Sequence, residues 1–331
     1  MSRHLPKLIL LLLIPTLVFS SCELFWEKPI EGDVYTVTIG IDYKNNDTYK
    51  DDLDGTVPDA RELFLTFDSV TSKSDRNWTG YLLVQEGDAR DADTFNTSIL
   101  AGSDIYPSKT NLEQVLNTIK STAKSNDLTI LTYSGHGFNP SGELILAHTK
   151  TVTELDELKL SPTTLLTWMS EIPGKKLVIL DSCFSGHFVD QSSSSLSLVY
   201  ENSINDWFNQ YWSSEDYTTP DIFLLTAAAD TESWETDISD HSHGDFTLAL
   251  LKGLGWPNDP HPLYAANATE DLAALPLPPA RRASVLTVDS LYSYIKDHQT
   301  YPIRSTLFWP RTNVQHPMTN GGAMDMILFR F

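Results

Sequence analysis

Two short stretches concentrate the residues able to do chemistry: Tyr133-Ser134-Gly135-His136-Gly137 and Asp181-Ser182-Cys183-Phe184-Ser185-Gly186. Each follows an apolar run of strand character, Leu128–Thr132 before the first and Leu177–Leu180 before the second. A histidine and a cysteine are thereby predicted just beyond the ends of two strands, where loops begin and a substrate can reach. The reactive form of cysteine is its thiolate. An imidazole close in space can take the thiol proton and deliver it to a leaving amine. Backbone N–H groups at Gly137 and Cys183 are candidates to hold a developing oxyanion.

The elements that must position these groups can be read along the chain. Val34–Ile41 is β-rich and Tyr81–Val84 is a second strand. Pro58-Asp59-Ala60 opens a helix carrying Leu63, Phe64 and Phe67. Thr110 and Glu113 fit a capping box ahead of Leu112, Val115, Leu116 and Ile119, which share one helical face. Ser161-Pro162 reads as an N-cap followed by proline at the first helical position. Ile222–Leu225 and Met326–Phe331 read as strands, Phe246–Leu254 as a helix, and Val288 to Ile295 as a last helix. Asp190–Pro220 and Asp230–Gly244 read as polar loops. Strands alternating with helices predict an α/β fold: a mostly parallel central sheet with helices on both faces, its reactive groups at the carboxyl ends of strands.

Bulk properties narrow the function. The chain has 331 residues, 41% of them apolar, enough for a sizeable core. Its formal net charge of −21 offers no basic stripe for phosphates, which argues against nucleic acid as a partner. At the N-terminus, Arg3 and Lys7 precede an apolar run, Leu8–Phe19, too short to span a bilayer and suited to a signal segment. Ser20-Ser21 then precedes Cys22, which resembles the lipobox of bacterial lipoproteins; Phe19 departs from the usual leucine. That resemblance implies that Cys22 is lipidated and the chain anchored to a membrane of the bacterial cell envelope after export. The expected organisation is a signal peptide at 1–21, a tether at 22–33 and one domain at 34–331. With Cys22 acylated, Cys183 has no cysteine partner in the chain.

The two motifs, 47 residues apart with the histidine first, resemble those of the caspase-like cysteine peptidases, the family that includes metacaspases, paracaspases and many bacterial members. Supporting segments are Ile39-Gly40-Ile41, Leu53 to Ala60, Gly244-Asp245-Phe246-Thr247 and Gln315-His316-Pro317. The resemblance implies a caspase-like fold, a His136–Cys183 dyad, and an oxyanion hole at Gly137 and Cys183. Asp181, two residues before the cysteine, matches the metacaspase-like branch, which cuts after Arg or Lys. Asp181 with Asp59, and more weakly Ser134, would then line the pocket for the basic side chain of a protein or peptide substrate. The alternative is a catalytically weak caspase-like lipoprotein that binds or scaffolds.

No cofactor or metal is required by this chemistry. Calcium, needed by some metacaspases, would have Asp47, Asp51, Asp52 and Asp54 as ligands, although their spacing does not fit an EF-hand. His241 and His243, flanked by Asp240 and Asp245, are a second weak metal pattern. No Lys or Arg lies between Lys176 and Lys252, so an enzyme cutting after basic residues cannot cut itself there. Arg281-Arg282 is the better self-processing candidate.

Overall fold

The structure, a computed structural model, describes residues 32–44, 52–87, 99–139, 141–148, 154–183, 185, 222–228, 233–238, 241–256, 275–299, 315, 317–319 and 326–331. The leader, Cys22, the tether up to residue 31, and the predicted loop 190–220 lie outside the described residues.

In chain order the elements are β1 (Val34–Ile41), α1 (Thr56–Lys73), β2 (Trp78–Gln85), β3 (Asp104–Ile105), α2 (Lys109–Thr122) and β4 (Leu128–Ser134). Next come β5 (Leu144–Ile145), α3 (Leu155–Leu158), β6 (Lys159–Leu160), α4 (Pro162–Ser170), β7 (Lys175–Asp181) and β8 (Ile222–Thr226). The remainder are β9 (Glu235–Ile238), β10 (His241–Gly244), α5 (Asp245–Leu254), β11 (Val285–Thr287), α6 (Val288–His298), β12 (Met318–Thr319) and β13 (Ile327–Arg330).

Seven strands form the central sheet in the order β12-β8-β7-β4-β1-β2-β3. All neighbours are parallel except β12, which pairs antiparallel with β8. The period-2 alternation of strands divides the core between two faces. On one face Leu131, Tyr133, Val178 and Leu180 meet Leu112, Val115 and Ile119 of α2 and Leu165 and Met169 of α4. On the other, Ile130, Leu177, Ile179 and Phe223 meet Leu63 and Phe67 of α1, Leu250 and Leu251 of α5, and Leu291 and Ile295 of α6. Central strands covered on both faces need mostly apolar or β-branched residues, and Val34–Ile39, Leu128–Tyr133 and Leu177–Leu180 supply them.

The expected sheet and helices are present, with three local departures. The N-cap of α2 is Ser108, whose hydroxyl accepts from Asn111 N–H at 3.2 Å, rather than Thr110. Residues 230–244 are not all loop: β9 and β10 pair as an antiparallel hairpin. The terminal strand β13 joins β11 in a small separate sheet instead of extending the central one. The Ser161 cap with Pro162 forms as expected.

From β1 the chain builds outward in both directions, through β2 and β3 on one side and β4, β7 and β8 on the other. The carboxyl ends beside this reversal are where open α/β sheets hold ligands. Asp59, His136 and Cys183 all follow strands of that central group.

Candidate functional site

Register brings the two motifs together. Ser134 pairs with Asp181 across β4 and β7, so His136 and Cys183 each lie two residues past a paired position. Beyond the strands the backbones stay in contact: Gly135 N–H donates to the Asp181 carbonyl at 3.2 Å. A Cβ on Gly137 would fall 1.8 Å from the Cys183 carbonyl oxygen, so only glycine permits this approach. Gly137 also forms an isolated bridge with Leu144. The bonds flanking that bridge use the N–H groups of Phe138 and Ile145, not that of Gly137.

His136 is buried and Cys183 half-buried. The imidazole ring lies 4.5 Å, centroid to centroid, from the ring of Tyr43. The Cys183 sulfur sits 4.0 Å from the Ser233 carbonyl oxygen. Ser233 also reaches the neighbouring acid, its hydroxyl donating to Asp181 Oδ1 at 2.6 Å. Both side chains of the Asp181-x-Cys183 pair therefore converge on one residue, as strand alternation requires.

Asp181 and Asp59 form a second cluster immediately beside the thiol. Asp181 Oδ2 accepts from Thr247 N–H at 3.0 Å and from the Thr247 hydroxyl at 2.7 Å. Thr247 lies in the first turn of α5, whose N-terminal N–H groups favour an anion. Asp59, in the first turn of α1, is fully buried. Its Oδ2 accepts from the Ser134 hydroxyl at 2.6 Å and from Gly244 N–H at 3.2 Å, and its Oδ1 lies 2.8 Å from His243 Nδ1. Gly244 separates the two acids: a Cβ there would lie 2.1 Å from Asp181 Oδ2 and 3.1 Å from Asp59 Oδ2. The structure thus gathers Asp59, Ser134 and Asp181.

The hairpin adds Glu235, which the sequence did not single out, and turns His243 toward two acids of α1. Glu235 Oε1 accepts from Gly55 N–H at 2.8 Å, tying β9 to the start of α1. His243 Nε2 lies 3.8 Å from Glu62 Oε2, one turn beyond Asp59 on α1. Gln315 accepts from Trp234 N–H at 3.1 Å and donates to the Ser233 hydroxyl at 3.2 Å, fastening the segment that faces the sulfur.

Burial dominates the electrostatics. Desolvation and the charge of Asp59 push the Asp181 carboxyl up to about 7, against the opposing bonds from Ser233 and Thr247. Glu235 is also raised to about 7, by burial first and then by Asp59, Asp181 and Asp54. His243 is lowered to about 4 by burial and the charge of Lys252, so it is neutral at pH 7.

Among the described residues, no group of three His, Cys, Asp or Glu side chains is arranged to hold a metal ion. Asp54 pairs instead with Lys44 at 2.9 Å, and Asp47 and Asp51 lie outside the described residues. His243 is committed to Asp59, while Asp245 accepts from the Thr236 hydroxyl at 3.2 Å.

A sequence model of the caspase domain matches residues 35–272. The chain belongs to the caspase domain family. Among solved structures, caspase-1 from Spodoptera frugiperda is similar at 12% identity, with 89% of this chain and 88% of that chain covered and a TM-score of 0.46. Protein GSU0716 from Geobacter sulfurreducens is similar at 12% identity, with 87% and 93% covered and a TM-score of 0.44. No curated protein matches the chain.

Proposed function

We propose that this caspase-domain protein is a cysteine endopeptidase that cuts after Arg or Lys. The observation that supports this reading is the β4–β7 register: Ser134 pairs with Asp181, two residues before His136 and two before Cys183. In this reading the Cys183 sulfur attacks the scissile carbonyl. His136 takes the thiol proton and gives it to the departing amine, and water then releases the acyl group. Gly137 and Cys183 N–H groups hold the oxyanion, each donor worth about 3–4 kcal/mol when lost.

The pocket would take a cation through the fields of Asp181 and Asp59, screened from the lumen by the Ser233 and Ser134 hydroxyls. All four carboxylate oxygens already accept hydrogen bonds or face His243. A guanidinium or ammonium group therefore gains from charge more than from unfilled acceptors. The test is a peptide panel with Arg, Lys or Asp at the cleaved position, run beside Cys183→Ala. Arg or Lys cleavage only in the intact protein supports the reading. Asp preference overturns the pocket, and equal background from both proteins favours a binding or scaffold role.

Two further parts of the reading concern processing and anchoring. The backbone of Arg281-Arg282 is closed in a turn: Arg281 N–H donates to the Pro278 carbonyl, and Arg282 exchanges bonds with Val285. Cleavage there requires this turn to open, because an endopeptidase binds its substrate extended. For the lipid anchor at Cys22, mass spectrometry of the exported chain should find an acylated Cys22 at its start, and Cys22→Ala should leave the membrane fraction.

A further inference from the structure

Tyr43 is a bulky residue held at φ 56°, in the left-handed region that disfavours L side chains. It is fully buried and stands just past the end of β1, beside the strand that leads to His136. Strain of this kind persists where the surroundings over-determine it, and it gathers at functional sites. Here the surroundings are explicit. Tyr43 N–H donates to Gln85 Oε1 at 3.2 Å, while Gln85 Nε2 donates to Asp42 Oδ1 at 2.9 Å. The turn is thus clamped from β2.

What the clamp delivers is a phenol at the histidine. The Tyr43 hydroxyl accepts from His136 N–H at 3.0 Å and donates to the Ile145 carbonyl at 2.6 Å. It also lies 2.9 Å from the Tyr133 hydroxyl, whose proton faces the His136 and Ile145 carbonyls, each at 2.9 Å. Ile145 N–H closes the loop on the same His136 carbonyl at 3.1 Å. Two buried phenols therefore grip both polar groups of the His136 main chain, and one of them lays its ring against the imidazole. A residue serving only to fill space would need neither the hydroxyl nor the left-handed backbone, since phenylalanine has nearly the same volume.

We propose that Tyr43, assisted by Tyr133, is the positioning residue for His136, fixing where the imidazole stands relative to the Cys183 sulfur. This rests on the dyad reading above but not on the basic pocket. A misplacement of about 1 Å can cost on the order of a hundredfold in rate.

The experiment compares wild type, Tyr43→Phe, Tyr133→Phe and His136→Ala in the full chain. It reads kcat and KM on an Arg peptide, alkylation of Cys183 by iodoacetamide at neutral pH, and the melting temperature. Tyr43→Phe should lower kcat by about tenfold or more with KM within about twofold. Its alkylation rate should fall toward that of His136→Ala. Tyr133→Phe should show a smaller change in the same direction, and it carries the test if Tyr43→Phe does not fold. If His136→Ala alkylates slowly while a folded Tyr43→Phe matches wild type in alkylation and kcat, the Tyr43 role is overturned and the dyad stands. If His136→Ala alkylates as fast as wild type, the dyad reading fails and the positioning role fails with it.

Discussion

The thiol end and the acid cluster are neighbours built on opposite plans. At the thiol end, bonds to main-chain groups do the holding: Gly135 to Asp181, Ile145 to His136, and two phenols to the His136 peptide groups. The His136 ring packs on Tyr43 and the Cys183 sulfur faces the Ser233 carbonyl, while the hydrogen bonds that hold this framework go to main-chain atoms. In the acid cluster, side chains hold side chains, and Asp59, Asp181, Ser134 and His243 are each part of the scaffold that they decorate. Truncating His136 or Cys183 to alanine therefore leaves those main-chain bonds in place. Groups in the acid cluster serve stability and recognition together.

The sharpest test of this contrast is loss of the dyad. His136→Ala or Cys183→Ala should lower turnover of an Arg peptide by about 10⁴ or more, with the melting temperature within about 2 °C of wild type. A large fall in melting temperature for either variant would erase the distinction. Gly244→Ala should do the reverse, because its methyl group would strike Asp181 Oδ2. We expect a loss of about 1–3 kcal/mol in denaturant unfolding, as for other overpacked sites.

Charge removal should separate recognition from chemistry. Asp181→Asn keeps an acceptor for Ser233 or Thr247 but loses the charge. It should raise KM for Arg peptides by about 10–100-fold while kcat changes less, since one partner of a buried ion pair is gone. Glu235→Gln should raise KM several-fold at pH 8 and little at pH 6, because the Glu235 carboxyl is largely protonated below about 7. Equal effects at both pH values would show that the Glu235 charge, coupled to Asp59 and Asp181, does not reach the bound cation.

The smallest effect is on stability. Asp181 and Glu235, raised to about 7, bind protons more tightly folded than unfolded. Their contribution is therefore complete below their ordinary values and lost as pH rises to about 7. His243, lowered to about 4, has the opposite sign: its contribution is lost as pH falls from about 6.5 toward 4. The slopes oppose one another between about 4 and 6.5, and only the acids act above that. The melting temperature should drop by about 2–4 °C between pH 6.5 and 8, and Asp181→Asn should flatten the drop. A rise over this interval would contradict the burial of the acids.

The central sheet and both motifs were legible because each signal is local. Leu128–Thr132 in β4 and Leu177–Leu180 in β7 are continuous apolar or β-branched runs, and the two motifs directly follow them. The gathering of Asp59 with Ser134 and Asp181 was legible only through the family resemblance. The β9–β10 hairpin was not legible, since its residues are mostly polar and its support comes from residues far along the chain, Gly55 and Asp59. Tyr43 carries no periodic signal: a left-handed residue is fixed by what surrounds it. The capping error at Thr110 has a local cause. Asn111 Nδ2 donates to the Tyr106 carbonyl at 2.9 Å, which draws the helix start back to Ser108.

Gly244 is at once the last residue of β10 and the N-cap of α5, with no linker between them. Hairpin and helix are consequently one lever arm: the strand that carries His243 cannot swing without dragging Thr247 away from Asp181. Anyone transplanting a different specificity wall onto this scaffold would have to exchange Ser233 through Thr247 as a single cassette.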